Sequence, residues 1–382
     1  MRVLVTGGAG FIGSRLVERL AEAGIAVTVL DNLSPQIHGS DPDRSSTFDR
    51  IKGKADFVRG DVRDRADVER ALAGVTHVVH LAAETGTGQS MYRIAHYCDV
   101  NVHGTGVLLD LLSNKRHDVQ RVLVASSRAV YGEGSARCQE HGLVMPEQRL
   151  ERNLAAGDFE AKCPVCGRDT EPAPTDEDAP MKPVSVYAIT KLAQELLVME
   201  TCKALGIAAV ALRFQNVYGP GQSLVNPYTG ILSVFSSALL AGQPLNVFED
   251  GHESRDFVFI DDVVEASFAA LLREGLEANV INVGSGRRTS VLDVVHGLGA
   301  AYGKPFDYAI TGDYRVGDIR HNYADTTRMR EMLDVHARWH LQDGLARFFA
   351  WALEETRRMP VRPSDYQVSL AEAAEFGVLK RK

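Results

Sequence analysis

The stretch VLVTGGAGFIG, Val3–Gly13, decides the fold. Aliphatic residues lead into Gly7, Gly10 and Gly13, and a helix-forming apolar pattern continues from Phe11. That order predicts a strand, a tight turn and a helix. Glycines at the turn let a pyrophosphate approach backbone N–H groups, and the helix N-terminus adds the positive end of its dipole. The G-x-x-G-x-x-G spacing is weak alone, but its position between a first strand and a helix is the context a dinucleotide site needs. Gly7, Gly10, Phe11, Ile12 and Gly13 are therefore candidate cofactor contacts. Asp31 closes the second predicted strand. A carboxylate there accepts hydrogen bonds from an adenosine ribose and repels a 2′-phosphate, so NAD is expected rather than NADP. Asn32 lies beside it. Asp61 and Val62, ending the third predicted strand, are placed to border adenine, although Asp61 reads equally well as a strand-end cap.

The same alternation runs outward from this motif. Strands are predicted at Val3–Thr6, Val27–Asp31, Phe57–Asp61, His77–Ala82, Arg121–Ser127, Ala208–Arg213 and Val280–Val283. Helices are predicted at Phe11–Ala23, Asp67–Ala73, Tyr97–Leu112 and Tyr187–Leu205. The pattern implies an α/β fold, a Rossmann-type doubly wound parallel sheet covered on both faces. Residues 1–214 would form the NAD-binding domain, with segment 257–285 returning a strand to it. Residues 215–256 and 286–360 would form a smaller mixed α/β lobe over the strand ends, where open sheets bind ligands. Residues 134–180, polar and interrupted by prolines, read as an inserted module. Residues 361–382 form a tail that packs on the body or on a partner chain.

Composition narrows the classes. The chain has 382 residues, 45% hydrophobic and 24% charged, ordinary for a globular protein. Lys plus Arg is 42 against 50 for Asp plus Glu, a net charge of −8, which gives no support for general nucleic-acid binding. The N-terminus shows no leader pattern, and no uncharged apolar run reaches about 18 residues, so a cytoplasmic protein without membrane contact is expected. Disulfides are not expected in that compartment.

Two further motifs carry chemistry: SSRAVYG, Ser126–Gly132, and YAITK, Tyr187–Lys191. Tyr187 and Lys191 are four apart on a predicted helix and share a face. A phenol is a poor base at its reference pKa of about 10, but a neighbouring ammonium and a cationic nicotinamide favour the phenolate. Ser127 is placed to bond the same substrate oxygen. Ser127, Tyr187 and Lys191 are the candidate catalytic set, with Lys191 also able to hold the nicotinamide ribose.

With these motifs the chain resembles the extended short-chain dehydrogenase/reductase family, and within it the NAD-dependent nucleotide-sugar epimerases and dehydratases. The resemblance extends through LAA (Leu81–Ala83), NVHGT (Asn101–Thr105), LRFQNVYGP (Leu212–Pro220), SRDFVFIDD (Ser254–Asp262), INVGSG (Ile281–Gly286) and RVGD (Arg315–Asp318). It implies cofactor contacts at Leu81, Ala82, Ala83 and Asn101, and a nucleotide-diphosphate sugar as substrate. By the same resemblance Asn216 contacts the sugar phosphate, Arg255 and Arg315 grip the diphosphate, Asp318 meets the nucleoside ribose and Phe248 lies near the base. Paired guanidinium groups suit a diphosphate because they bond its oxygens bidentately. Thr85, in the loop after the fourth strand, would border the sugar. The family also implies a homodimer through Tyr97–Leu112 and Tyr187–Leu205.

Dehydratases of the family carry an Asp-Glu pair where this chain has Arg128 and Ala129, and its sugar-acid decarboxylases usually have a glutamate at the second position. Dehydration and decarboxylation are thereby disfavoured. Oxidation and re-reduction at carbon 4 remains, with a net ketoreduction as the alternative. The stretch RFQNVYGPGQSLVNPYTG and the cysteine-bearing insert are similar to those of the dTDP-L-rhamnose 4-epimerases, while UDP-hexose and UDP-hexuronate stay open as substrates.

In the insert, Cys138-Gln-Glu-His141 and Cys163-Pro-Val-Cys166 form two x₂ pairs. A Cys₃His set is a closed tetrahedral zinc site, and two pairs are more specific than one. A structural zinc knuckle at Cys138, His141, Cys163 and Cys166 would fold a module with little core of its own. Unrelated thiols and a redox Cys-x-x-Cys are the competing readings.

Overall fold

The structure, a computed structural model, describes residues 1–224, 226, 228, 230–358 and 363–382, with backbone only at 363–366. Val225, Pro227 and Thr229 of the stretch noted above, and the junction 359–362 between lobe and tail, lie outside the described residues.

The central sheet has seven strands: β1 (Arg2–Thr6), β2 (Ala26–Asp31), β3 (Asp56–Arg59), β4 (His77–His80), β5 (Arg121–Ser127), β6 (Ala208–Phe214) and β7 (Asn279–Val283). Their order is 3-2-1-4-5-6-7, every neighbouring pair parallel. A parallel sheet buried on both faces needs nearly continuous apolar strands. Val3, Leu4 and Val5 in β1 and Val122, Leu123 and Val124 in β5 supply them, all fully buried. Helix α1 (Phe11–Glu22) packs Leu16, Val17 and Leu20 on one face. Helices α2 (Gly104–Asn114) and α3 (Val186–Leu205) bring Leu108, Leu112 and Val198 to the other. Strand order reverses between β1 and β4, and a crevice opens there at the carboxyl ends of the strands.

The strand ends differ from expectation where the cofactor crevice begins. Thr6 pairs with His80, after which the glycine loop turns away and leaves Leu81 and Ala82 without a ladder partner. β3 likewise stops at Arg59, so Asp61 stands beyond the sheet. The expected helix Tyr97–Leu112 is a longer run, from Ile94 through a π-helical turn at Cys98–His103 into α2. Helix α3 starts at Ser185, whose hydroxyl accepts from the Ala188 N–H at 3.2 Å, and stops at Gly206 with φ of +69°.

The lobe is built of short strand pairs and helices Ile231–Leu240, Val291–Tyr302 and Leu341–Arg358. Strand Ser254–Arg255 lies between Thr289–Ser290 and His321–Asn322. The insert forms a small antiparallel sheet of Gly142–Val144, Ala136–Cys138 and Glu171–Pro172. The tail packs on its own body: Leu379–Lys380 pairs antiparallel with Tyr314–Arg315.

Candidate active site

A cavity of about 570 Å³ occupies the crevice between the sheet and the lobe. Its cofactor end is the glycine loop. Gly7 has φ of +68°, and a Cβ there would lie 2.9 Å from the Ala82 nitrogen. A Cβ on Gly13 would fall 2.3 Å from the Gly7 carbonyl oxygen, so the first turn of α1 could not close on the loop. Gly10, Phe11, Ile12, Asn32, Asp61, Val62, Leu81, Ala82 and Ala83 all line the same cavity.

Asp31 is buried and ties the glycine loop to the loop after β2. Its carboxylate accepts from the Ala9 N–H at 3.0 Å and the Leu33 N–H at 2.9 Å. Burial pushes its pKa up, opposed by the Leu33 bond and by His38, whose Nε2 lies 3.9 Å away. Asp61 is held below the usual carboxylate range, chiefly by hydrogen bonds from Arg63, and Asn32 donates to it at 3.0 Å. Asn101 departs from expectation, because it does not line the cavity. Its amide bonds the Glu84 N–H and carbonyl at 2.7 and 3.1 Å and the Thr190 hydroxyl at 2.9 Å, so it fixes the loop after β4 to α3. Glu84, Thr85, Gly86, Thr87 and Gly88 of that loop border the cavity. The Tyr97 hydroxyl donates to the Thr85 carbonyl at 2.8 Å, and the Ser90 hydroxyl accepts from the Tyr187 N–H at 3.0 Å.

Ser127, at the end of β5, and Tyr187 and Lys191, on the first turns of α3, meet in this wall. Burial raises the Tyr187 pKa above its ordinary value, and the neighbouring Ser127 hydroxyl and the Arg128 charge draw it back. The Arg128 charge thus favours the phenolate. Lys191 is itself desolvated, its pKa lowered to about 7 by burial against the opposing charge of Glu195. Its ammonium donates to Gln194 Oε1 at 2.7 Å, and Gln194 Nε2 donates to Thr105 Oγ1 at 2.9 Å. Behind Ser127, Glu195 receives Nε and Nη2 of Arg213 at 3.0 and 2.6 Å.

The substrate-side residues reach the same cavity: Thr85, Asn216, Phe248, Arg255, Arg315 and Asp318 all line it. Arg128 Nε donates to Asn216 Oδ1 at 2.9 Å. Arg255 is engaged by protein, its Nη2 donating to Asp318 Oδ1 at 2.9 Å. The Arg315 guanidinium lies 5.0 Å from the centre of the Phe248 ring. Asp318 is held below its ordinary pKa by Arg255, Arg315, Arg149 and Arg128, which together outweigh the desolvation that opposes them. Arg128, His38, Glu249 and Glu253 also line the cavity. Sequence reasoning noted Arg128 only as a missing acid, and nothing local marked the other three.

The insert touches this site. Arg149 gives Nη2 to the Asp318 carbonyl at 3.1 Å and pairs with Glu249 at 2.8 Å, both partners almost fully buried. Glu160 pairs with Arg320 at 2.7 Å. At its far end the ligand atoms of Cys138, His141, Cys163 and Cys166 lie within 4.8 Å of one another. Cys138 Sγ is 3.6 Å from His141 Nδ1 and 3.7 Å from Cys166 Sγ, and Cys163 Sγ is 3.7 Å from His141 Nδ1. A tetrahedron with Zn–S near 2.3 Å and Zn–N near 2.0–2.1 Å has edges of about 3.5–3.8 Å, so this donor set fits a zinc ion.

Comparison with known proteins agrees with this geometry. The model of the NAD dependent epimerase/dehydratase family matches residues 3–148 and 163–284, and its gap falls inside the insert. A dTDP-L-rhamnose 4-epimerase of Burkholderia thailandensis is 39% identical over 94% of this chain and 96% of its own. A UDP-glucose 4-epimerase of Mycolicibacterium smegmatis is 33% identical over 91% of this chain and 97% of its own. The solved UDP-glucuronic acid 4-epimerase of Bacillus cereus, in complex with UDP-glucuronic acid and NAD, is 26% identical, with a TM-score of 0.74 over 93% of this chain and 99% of that one. The chain belongs to the NAD-dependent epimerase/dehydratase family. It is an enzyme, an NAD-dependent epimerase of the isomerase class.

Proposed function

We propose that this enzyme inverts carbon 4 of a nucleotide-linked sugar without net redox change. The leading substrate is dTDP-L-rhamnose and its product dTDP-6-deoxy-L-talose. The carrying observation is that Ser127, Tyr187 and Lys191 line one cavity with Arg128, rather than a carboxylate, directly after Ser127. Tyr187 removes the proton of the 4-hydroxyl and later returns it, while Ser127 holds the same oxygen. NAD, when bound, supplies the hydride acceptor and donor. Gly7, Gly10, Phe11, Ile12, Gly13, Asp31, Asn32, Asp61, Val62 and Leu81–Ala83 would hold it, with Tyr187 and Lys191 at the reactive end. Asp31 supports NAD because a 2′-phosphate would meet a buried carboxylate. Asn216, Arg255, Arg315 and Asp318 would anchor the nucleotide diphosphate, Phe248 the base and Thr85 the sugar. The absence of an acid-base pair at Arg128 and Ala129 separates this site from the dehydratases. The B. thailandensis relative supports the dTDP-deoxysugar, and the UDP-sugar relatives keep UDP-hexose and UDP-hexuronate as the second reading.

Two structural roles complete the proposal. A zinc ion held by Cys138, His141, Cys163 and Cys166 staples the insert. A homodimer forms through α2 and α3, for which α3 offers an exposed stripe of Ile189, Leu196 and Leu197. Among the described residues no helix is long and apolar enough to cross a membrane.

The experiment is isotopic. dTDP-L-rhamnose deuterated at carbon 4 should give a 4-epimer that retains deuterium, read by NMR, with no net NADH. Tyr187→Phe should lose about 10²-fold or more in turnover while keeping NAD. Stoichiometric consumption of reduced cofactor would establish a ketoreductase instead. Clean epimerisation of a UDP-hexose alone would keep the mechanism and replace the substrate.

A further inference from the structure

We propose that Arg128 is a substrate-contacting residue that grips the sugar-proximal phosphate of the nucleotide sugar, a third cation of the tether set at the edge of the reacting centre. The proposal rests on the nucleotide-sugar reading above and adds a contact to it. Arg128 follows Ser127 directly and lines the same cavity. Its Nε is fixed on Asn216 Oδ1 at 2.9 Å, so the plane of the guanidinium is set. Among the described residues no carboxylate lies within ion-pair distance of it, and no protein acceptor takes its Nη1 or Nη2. Arg255, the arginine expected to clamp the phosphates, is in the opposite condition. Its Nη1 goes to the carbonyls of Ser254 and Arg320, and its Nη2 to Asp318 and the Ile319 carbonyl.

A guanidinium partly withdrawn from water without a counter-ion is costly, and Arg128 is half-buried. Burial and the nearby Arg255 charge lower the Arg128 pKa to about 9, the response of a cation short of an anion. An anion entering the cavity therefore meets Arg128 with its terminal donors free. Position selects which anion. The Arg128 charge is felt by Tyr187 on one side and is coupled to Arg255 and Asp318 on the other. That is the junction between the reacting sugar and the diphosphate, so the phosphate nearest the sugar is the group within reach. An anchor there suits epimerisation, because the keto sugar must turn over while its phosphate stays fixed. A sugar carboxylate is the other anion that could enter.

The test uses the NAD-loaded full chain and calorimetry with dTDP, dTMP, UDP, UMP and UDP-glucuronic acid. A charge-assisted hydrogen bond is worth about 1.5–3 kcal/mol, which is about 10- to 100-fold in binding. Arg128→Met should weaken the diphosphate that the wild type binds by that factor and leave the monophosphate within about twofold. Arg128→Lys should restore part of the loss. In turnover, Arg128→Met should raise KM and accumulate enzyme-bound reduced cofactor, seen by its absorbance, as loosened keto sugar escapes. Equal diphosphate binding by wild type and Arg128→Met overturns the proposal. So does a loss confined to UDP-glucuronic acid, which would assign the cation to a sugar carboxylate. If the wild type binds neither diphosphate, the nucleotide-sugar reading itself falls. Should Arg128→Met fail to fold, Arg128→Gln, which retains a donor for Asn216, carries the same comparison.

Discussion

Replacing Glu195 by alanine should cost the fold about 3–5 kcal/mol, because it strands a buried cation. Glu195 and Arg213 are each 3% exposed. Arg213 gives Nε to one carboxylate oxygen at 3.0 Å and Nη2 to the other at 2.6 Å, while Nη1 serves the Tyr131 hydroxyl and the Glu177 carbonyl, both at 2.9 Å. Alanine removes two acceptors and the only carboxylate paired with Arg213 among the described residues, and leaves Nη1 satisfied, so the guanidinium cannot leave with its partner. The Ser126 hydroxyl also donates to Glu195, at 2.5 Å, one residue before Ser127. Equilibrium unfolding in urea would measure the loss as a lowered midpoint at unchanged slope. A control combines Glu195→Leu with Arg213→Met. Removing both charges and refilling the space should recover most of the stability, since a buried pair is about neutral against apolar replacements. Turnover of Glu195→Ala should fall even where the chain remains folded, because the carboxylate fixes the strand end that presents Ser127. A loss below about 1 kcal/mol, or a double variant no better than the single, would refute this reasoning.

Asp31→Ala should weaken NAD binding by about 10- to 100-fold, the worth of a charged hydrogen bond, and narrow the gap to NADP. An unchanged NAD to NADP affinity ratio in calorimetry would remove Asp31 from that role. Protein purified in reductant without chelator should carry about one zinc per chain, as a closed four-ligand site requires. Cys163→Ser should lose the metal and open residues 134–180 to limited proteolysis, and metal-free wild type would count against the site. Lys191 is held down to about 7 by burial, while an unfolded lysine titrates near 10.4. Between these values the unfolded chain binds the extra proton, so the stability from this group rises with pH across about 7 to 10. The urea midpoint of Lys191→Met should therefore depend less on pH in that window than the wild type's, and parallel curves would exclude the shift.

What the sequence made legible here is what chemistry encodes locally. The strand, glycine turn and helix of Val3–Gly13 need only neighbours in the chain. Setting Tyr187 beside Lys191 needed only the pitch of one helix, and grouping Cys138, His141, Cys163 and Cys166 only two short turns. Arg128 shows where this reach ends. From sequence it was an acid that was missing. Its significance lies in having Asn216, from the start of another strand, as a partner and, among the described residues, no carboxylate within ion-pair distance. Asn101 shows another side of the same limit: the resemblance implied a cofactor contact, yet its amide is spent on the Glu84 backbone and Thr190, so it shapes the cavity from behind. The insert joins both lessons. Spacing alone suggested a structural metal knuckle in an inserted module and said nothing of what the module touches. The structure sets Arg149 of that module on Glu249 and on the Asp318 carbonyl, and Glu160 on Arg320. A metal at its tip would therefore brace the wall that carries Arg255 and Asp318. Losing it should weaken nucleotide binding before it weakens NAD binding, because among the described residues no hydrogen bond or ion pair joins the glycine loop or Asp31 to the module.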